Sequence, residues 1–254
     1  MKVIAIALNT FKEAVRDRIL YTLLVFALAL IGSSVILTRL TVGGEEKIIK
    51  DLGLACILIF GTLIAVFIGI GLVSKEIDKK TIYTIIAKPI HRYEFILGKY
   101  LGLIITLFVN VFVMALGLFL LVSLMEGSWD PKLLPAVFLI FVELMVTTAV
   151  ATLFSSFTTP TLSAIFTLSI FVIGHLSRDL KEFAAQFGGA TVKALTLALY
   201  YLMPNLSAFN IRAQAVHGVS VPLSFIGLST LYGAFYLSAV LILAMLIFQR
   251  RDFK

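Results

Sequence analysis

One cysteine, Cys56, occurs in 254 residues, and it sits inside an apolar run. A lone thiol excludes an intrachain disulfide and a thiolate metal site. Charge is equally scarce: 14% of the chain is Asp, Glu, Lys or Arg, against about 25% in soluble domains. The charges that exist gather between long hydrophobic blocks, and 60% of the residues are hydrophobic. HExxH, CxxC and GxSxG are missing, and His175 and His217 lack the spacing of metal ligands. The dipeptide Gly98-Lys99 is not a phosphate loop, because Tyr93 stands where the first glycine belongs and Tyr100 replaces the Mg²⁺-binding Ser/Thr. What is left is an all-α integral membrane protein without nucleotide chemistry of its own.

A bilayer core about 30 Å thick takes about 20 apolar residues per helix. Six segments meet that length: 19–38, 53–73, 101–124, 133–154, 160–177 and 223–248. The first is too long for a signal-peptide core and lacks a small-residue cleavage pattern behind it. Ahead of it, residues 1–18 place Val3, Ile4, Ala7, Leu8, Phe11 and Val15 on one helical face, which predicts an amphipathic helix lying against lipid at the inner interface.

Basic residues set the direction of insertion. Residues 1–18, 75–100 and the tail carry most of the Lys and Arg, with an excess of positive charge, while the opposite loops are nearly balanced. Both termini and the 75–100 loop are therefore expected in the cytoplasm. The positive charge is a topology signal rather than a nucleic-acid patch. Between the fifth and sixth spans, residues 178–222 form an outer-side cap. In it Leu180, Phe183, Ala184 and Phe187 make an amphipathic helix, Gly188-Gly189 break it, and the short apolar run 194–204 dips back toward the bilayer until Pro204 ends it. Irregular backbone at that depth has to pack on protein or line a cavity.

Ionisable groups inside a membrane are functional candidates by default. Glu143, in the fourth span, shares a face with Val146, Thr147, Val150 and Ala151. It reads either as a transport-path, proton-coupling or gating group, or as a hydrogen-bonded carboxyl tying two helices together. Asn110, with Thr106, Val113 and Gly117, reads as a helix-packing face first and a ligand contact second. Gly61, Ala65 and Gly69 mark a close helix contact, His175 reads as a solvated boundary histidine, and Trp129, Tyr21 and Tyr100 as interfacial anchors.

The loop "KEIDKKTIYTIIAKPIHRYEFILGKY" (75–100) is longer than a connector needs to be. Ile82, Ile85, Ile86 and Pro89 form an apolar stripe, with Glu76, Asp78, Lys79 and Lys80 on other faces. Pro89 disfavours helix at Lys88 and makes a corner, after which a second helix starts near His91-Arg92 and runs into the third span. The stripe suits a lipid surface or the groove of a soluble partner.

The stretch "TIYTIIAKPIHRYEFILGKYLG" (81–102) resembles the first cytoplasmic loop of ABC-2 type transporter permeases, matching at Thr81, Pro89, Arg92, Gly98 and Lys99. Lys80 and His91 depart from the Gly and Ser that members often carry there. The stretch "YYLMPNLSAFNIRAQAVHG" (200–218) is similar to the branch called copper-enzyme-maturation permeases, although one Cys, three His and six Met offer no soft-ligand track for copper. The resemblance implies one transmembrane domain over 1–254 that dimerises with itself or a homologous permease in the cytoplasmic membrane of a prokaryote. It implies two copies of a separate ATP-binding cassette subunit, which hold the ATP and Mg²⁺. It also implies a coupling helix within 75–95, with Glu76, Lys79, Thr81, Ile82, Ile85, Ile86, Pro89 and Arg92 at the ATPase, driving export. Two other classes stay open: a membrane-embedded enzyme acting on lipid or isoprenoid groups, and an ATPase-coupled scaffold that transports nothing.

Overall fold

A computed structural model describes residues 2–38, 44–78, 91–127, 130–187 and 189–250. Nine α-helices occupy them: α1 (Lys2–Val15), α2 (Arg18–Thr38), α3 (Glu45–Asp78), α4 (Arg92–Glu126), α5 (Leu133–Ser155), α6 (Pro160–Phe187), α7 (Ala190–Leu202), α8 (Arg212–Val216) and α9 (Leu223–Arg250), with a 3₁₀ turn at Leu206–Phe209 between α7 and α8. No strand occurs among the described residues. Six helices (α2 to α6 and α9) are long and apolar enough to cross a membrane, so the all-α membrane fold holds.

The spans run alternately up and down. One end of the bundle carries α1, the close of α3, the start of α4 and the close of α9. The other end carries the α4–α5 connection and the insertion 188–222. Between α1 and α2 the chain turns at Asp17, whose Oδ1 accepts the backbone N–H of Ile19 at 3.0 Å. This is the N-cap arrangement that satisfies an otherwise orphaned helix donor. At the start of α4, Glu94 turns back to accept the N–H of His91 at 2.9 Å, so a helix does begin at Arg92 and runs unbroken into the third span, while the corner expected at Pro89 lies outside the described residues.

The centre is α5. Its apolar residues run around the whole circumference and most of its side chains are buried, the mark of a helix enclosed by others. Lipid is as apolar as leucine, so close packing rather than water exclusion holds such helices together. The predicted small-residue stripe on α3 serves this contact: a Cβ on Gly61 would sit 2.5 Å from the Leu144 side chain, and Gly69 faces Ala151.

Several elements differ from expectation. α3 begins at Glu45, well before the predicted 53, because its polar first turns are partnered: Lys50 pairs with Asp130 and Asp51 with Arg212. α6 does not stop at the membrane boundary, so residues 178–187 extend the fifth span instead of forming a separate helix. Tyr100 is 3% exposed, and its hydroxyl donates to the Met145 carbonyl at 3.2 Å, an interhelical bond rather than an interfacial anchor. On α1 the protein-facing residues are Ala7, Thr10 and Ala14, while Ile4 and Leu8 point outward. Trp129 lies outside the described residues.

Candidate functional site

Two constellations stand out, one where α4 opens and one around Glu143 in α5. At the end bearing both termini, α4 opens with Arg92, whose Nη1 donates to the carbonyls of Gln249 (3.0 Å) and Phe248 (3.4 Å) in the last turn of α9. Helix C-termini leave carbonyls without intrahelical donors, and a cation there also complements the helix dipole. Phe95 stacks on Phe248 at 5.8 Å between centroids. One turn on, Lys99 is almost wholly buried, its Nζ 3.6 Å from Glu13 Oε2 of α1 and 5.7 Å from the Phe95 ring centre.

Gly98 and Gly102 let α1 cross α4 in near-backbone contact. A Cβ at Gly98 would meet the Ile6 Cβ at 2.6 Å, and one at Gly102 would meet the Ala7 carbonyl oxygen at 2.6 Å. The arm leading out of the loop is thus fastened to the first and last helices of the chain. Among the residues assigned to docking, Arg92 is placed as described and Glu76 belongs to the end of α3. Lys79, Thr81, Ile82, Ile85, Ile86 and Pro89 lie outside the described residues.

The second constellation surrounds Glu143, which is fully buried near the middle of α5. Its Oε1 lies 3.2 Å from Nε2 of His175 on α6, without the alignment of a hydrogen bond. The imidazole Nδ1 is 3.2 Å from the Phe171 carbonyl, with the Phe171 ring against it at 4.6 Å. On the side toward the insertion, a cavity of about 10 Å³ is lined by Glu143, Asn210, Arg212 and apolar side chains of α3 and α5. Arg212 Nε bonds Asp51 Oδ1 at 2.7 Å. Thr147, one turn from Glu143, donates to its carbonyl at 3.0 Å and lines the adjoining crevice with Phe171, Pro204 and Leu206. Asn110 is not part of this group. It is buried on α4, and its amide donates to the Thr106 carbonyl at 2.8 Å.

The non-helical backbone that closes this region is held by protein. Gly174 of α6 has the Pro204 carbonyl oxygen 2.7 Å from its would-be Cβ, and Gly233 of α9 faces Phe209 and Val142. The Asn205 N–H donates to the Tyr232 hydroxyl (2.9 Å), and the Ser229 hydroxyl donates to the Ala208 carbonyl (3.1 Å). These bonds pair irregular backbone with protein groups, as such backbone would require if it entered a bilayer. Above it, Lys50 Nζ bonds Asp130 Oδ2 at 2.8 Å and Lys132 Nζ donates to the Gly218 carbonyl at 2.9 Å. Burial pushes the Asp130 carboxyl up, but the Lys50 bond, the Lys132 backbone N–H and both ammonium charges outweigh it and hold the group below the ordinary carboxylate range.

His175 was expected in solvent, and the structure corrects this: its side chain is 22% exposed and faces Glu143. Arg212 and Asp51 were not singled out by the sequence. Asp51 lies near the start of α3 and Arg212 opens α8, and only the return of the insertion brings them together. Among the described residues, no three His, Cys, Asp or Glu side chains assemble in a way that would hold a metal ion.

A family model described as ABC-2 family transporter protein matches residues 4–253. No curated protein matches the chain.

Proposed function

The chain belongs to the ABC-2 transporter family, and from that premise we propose that it is a permease subunit driven by a separate ATPase docked on residues 76–92. A multi-pass membrane transport protein of this family implies a partner ATPase. The finer reading is that two copies of that ATPase bind two permease copies, either identical or homologous. ATP and Mg²⁺ sit on the ATPase, and a substrate leaves across the cytoplasmic membrane of a prokaryote, with both permease termini cytoplasmic.

The observation that supports this reading best is the fastening of α4 just beyond the loop. Arg92 and Phe95 bind the close of α9, while Lys99, Gly98 and Gly102 bind α1. A displacement of the loop by nucleotide-dependent closure would carry α4, α1 and the end of α9 together. A docked partner shifts the arrangement of the spans only by as much as its contacts differ between the two states, and a fastened arm passes that difference on rather than letting it dissipate.

Co-expression of the permease with an ATPase subunit tests the proposal. The two should co-purify, and the permease should stimulate ATP hydrolysis. Ile85→Asp should abolish the stimulation while the permease still inserts and purifies, because an acid in the apolar stripe opposes seating in a groove. Stimulation retained in full by Ile85→Asp would remove the docking assignment. Stimulated hydrolysis without movement of any solute into vesicles would favour a scaffold over a transporter.

A further inference from the structure

The Glu143–His175 pair leaves a donor count that closes in only one way. The Phe171 carbonyl can only accept, so the Nδ1 that faces it at 3.2 Å carries a proton. In neutral imidazole Nε2 is then a lone pair, and it lies 3.2 Å from a carboxyl whose two oxygens are fully buried and receive no hydrogen bond. Without another proton, two acceptors face each other at 3.2 Å. One added proton, with a small turn of the ring, satisfies both as O–H···N, the neutral form that burial favours over N–H⁺···O⁻.

Several charged and titratable groups on the neighbouring helices are already engaged. On α3, Asp51 holds Arg212 Nε and Lys50 holds Asp130. On α4, the Tyr100 hydroxyl bonds the Met145 carbonyl. On α9, the Tyr232 hydroxyl accepts from Asn205, and the Tyr236 hydroxyl lies 3.4 Å from the Leu202 carbonyl. On α8, Arg212 lines the Glu143 cavity with its Nε turned to Asp51. The cavity has room for about one water molecule, and Asn210, on its lining, is exposed at the insertion-bearing end.

We propose that Glu143 and His175 form an intramembrane proton-binding site, one proton shared between Oε1 and Nε2 and exchanged with the solution at the insertion-bearing end through the cavity beside Asn210 and Arg212. Release passes the proton to water in the cavity and leaves a carboxylate against a lone pair. The two side chains then separate, or Arg212 turns from Asp51 toward Glu143. The site would therefore couple proton occupancy to the packing of α5 against α6 and α8, whatever drives transport.

Infrared spectroscopy of the purified permease in lipid nanodiscs tests this directly. The wild type should show a buried carboxylic-acid carbonyl band that shifts in D₂O. Glu143→Gln should remove it. His175→Gln should move it, because the acceptor for the O–H changes. Asn210→Leu, at the cavity mouth, should leave the band in place and slow its deuteration several-fold. No such band between pH 5 and 9, or a band untouched by Glu143→Gln, would overturn the site, and so would a band that His175→Gln leaves unmoved. Deuteration at the wild-type rate in Asn210→Leu would overturn the route. If Glu143→Gln fails to insert, the response to His175→Gln still decides the shared proton.

Discussion

Lys50 and Asp130 hold the start of α3 to the start of α5, with both side chains mostly buried and 2.8 Å apart. Removing one partner of a buried pair strands the other charge; this pair keeps some exposure, so Asp130→Asn should lower stability in detergent by about 1–3 kcal/mol at neutral pH, the range for a buried donor left without its acceptor. The pH dependence has a definite sign. Asp130 titrates below its ordinary value in the folded protein, so its contribution is complete above the unfolded-state value, about 3.9. It is lost only as pH falls through the lower folded value. Thermal midpoints measured from pH 7 down to pH 3 should therefore fall more steeply for the wild type than for Asp130→Asn, the two curves converging in acid. Parallel curves would mean that the pair contributes nothing. Glu143 raises a different question at the same scale. Glu143→Gln keeps the shape and supplies a donor for Nε2, so the variant should insert normally while transport changes. Unchanged transport and unchanged ATP turnover would leave Glu143 only the task of joining α5 to α6.

Among the elements, the crossing of α1 on α4 depends on two missing side chains. Gly102→Val would place a Cβ 2.6 Å from the backbone oxygen of Ala7, which cannot rotate away, so α1 must lift. The overpacking should cost about 1–3 kcal/mol, and the crossing should become accessible to proteolysis near Val15; Gly32→Val, with open space around its would-be Cβ, should do neither. If Gly102→Val were as resistant as the wild type, the crossing would not fasten the arm. This contact also shows where sequence reading stops. Hydropathy and length were enough to find six spans, and the proline at position 89 was enough to expect a helix start near Arg92, where α4 begins. Periodicity was enough to turn Ile4 and Leu8 outward, as a lipid-facing helix requires, but it put Ala7 on the same face, whereas Ala7 docks with Thr10 and Ala14 as the small face of α1. In a bilayer the greasy face has no reason to seek protein, and close approach decides. Tyr100 was misread for a related reason. Its place at a span boundary says nothing about the Met145 carbonyl opposite. His175 could be paired with Glu143 only by knowing which face α6 turns toward α5.

At the scale of the whole molecule, direction in the membrane is the property from which the docking and proton-exchange readings take their sides. If basic loops are retained in the cytoplasm, as we propose, α1 and the α4 arm lie inside and the insertion outside. The fold makes this testable with few changes, because Cys56 is the chain's lone cysteine and is buried. In a Cys56→Ala background, Lys12→Cys sits on an exposed position of α1, and Val219→Cys on the exposed stretch after Gly218. A membrane-impermeant maleimide added to intact cells should label Val219→Cys at once and Lys12→Cys only after permeabilisation. The two positions lie at opposite ends of the alternating spans, so their responses must be opposite. Equal labelling of both would contradict the six-span path itself. The reversed pattern would keep the path but invert it, placing the fastened arm where no cytoplasmic ATPase could reach it and the Glu143–His175 cavity on the cytoplasmic side. The docking proposal would then fall, while the shared proton, which rests on distances within the bundle, would stand with its exchange directed inward.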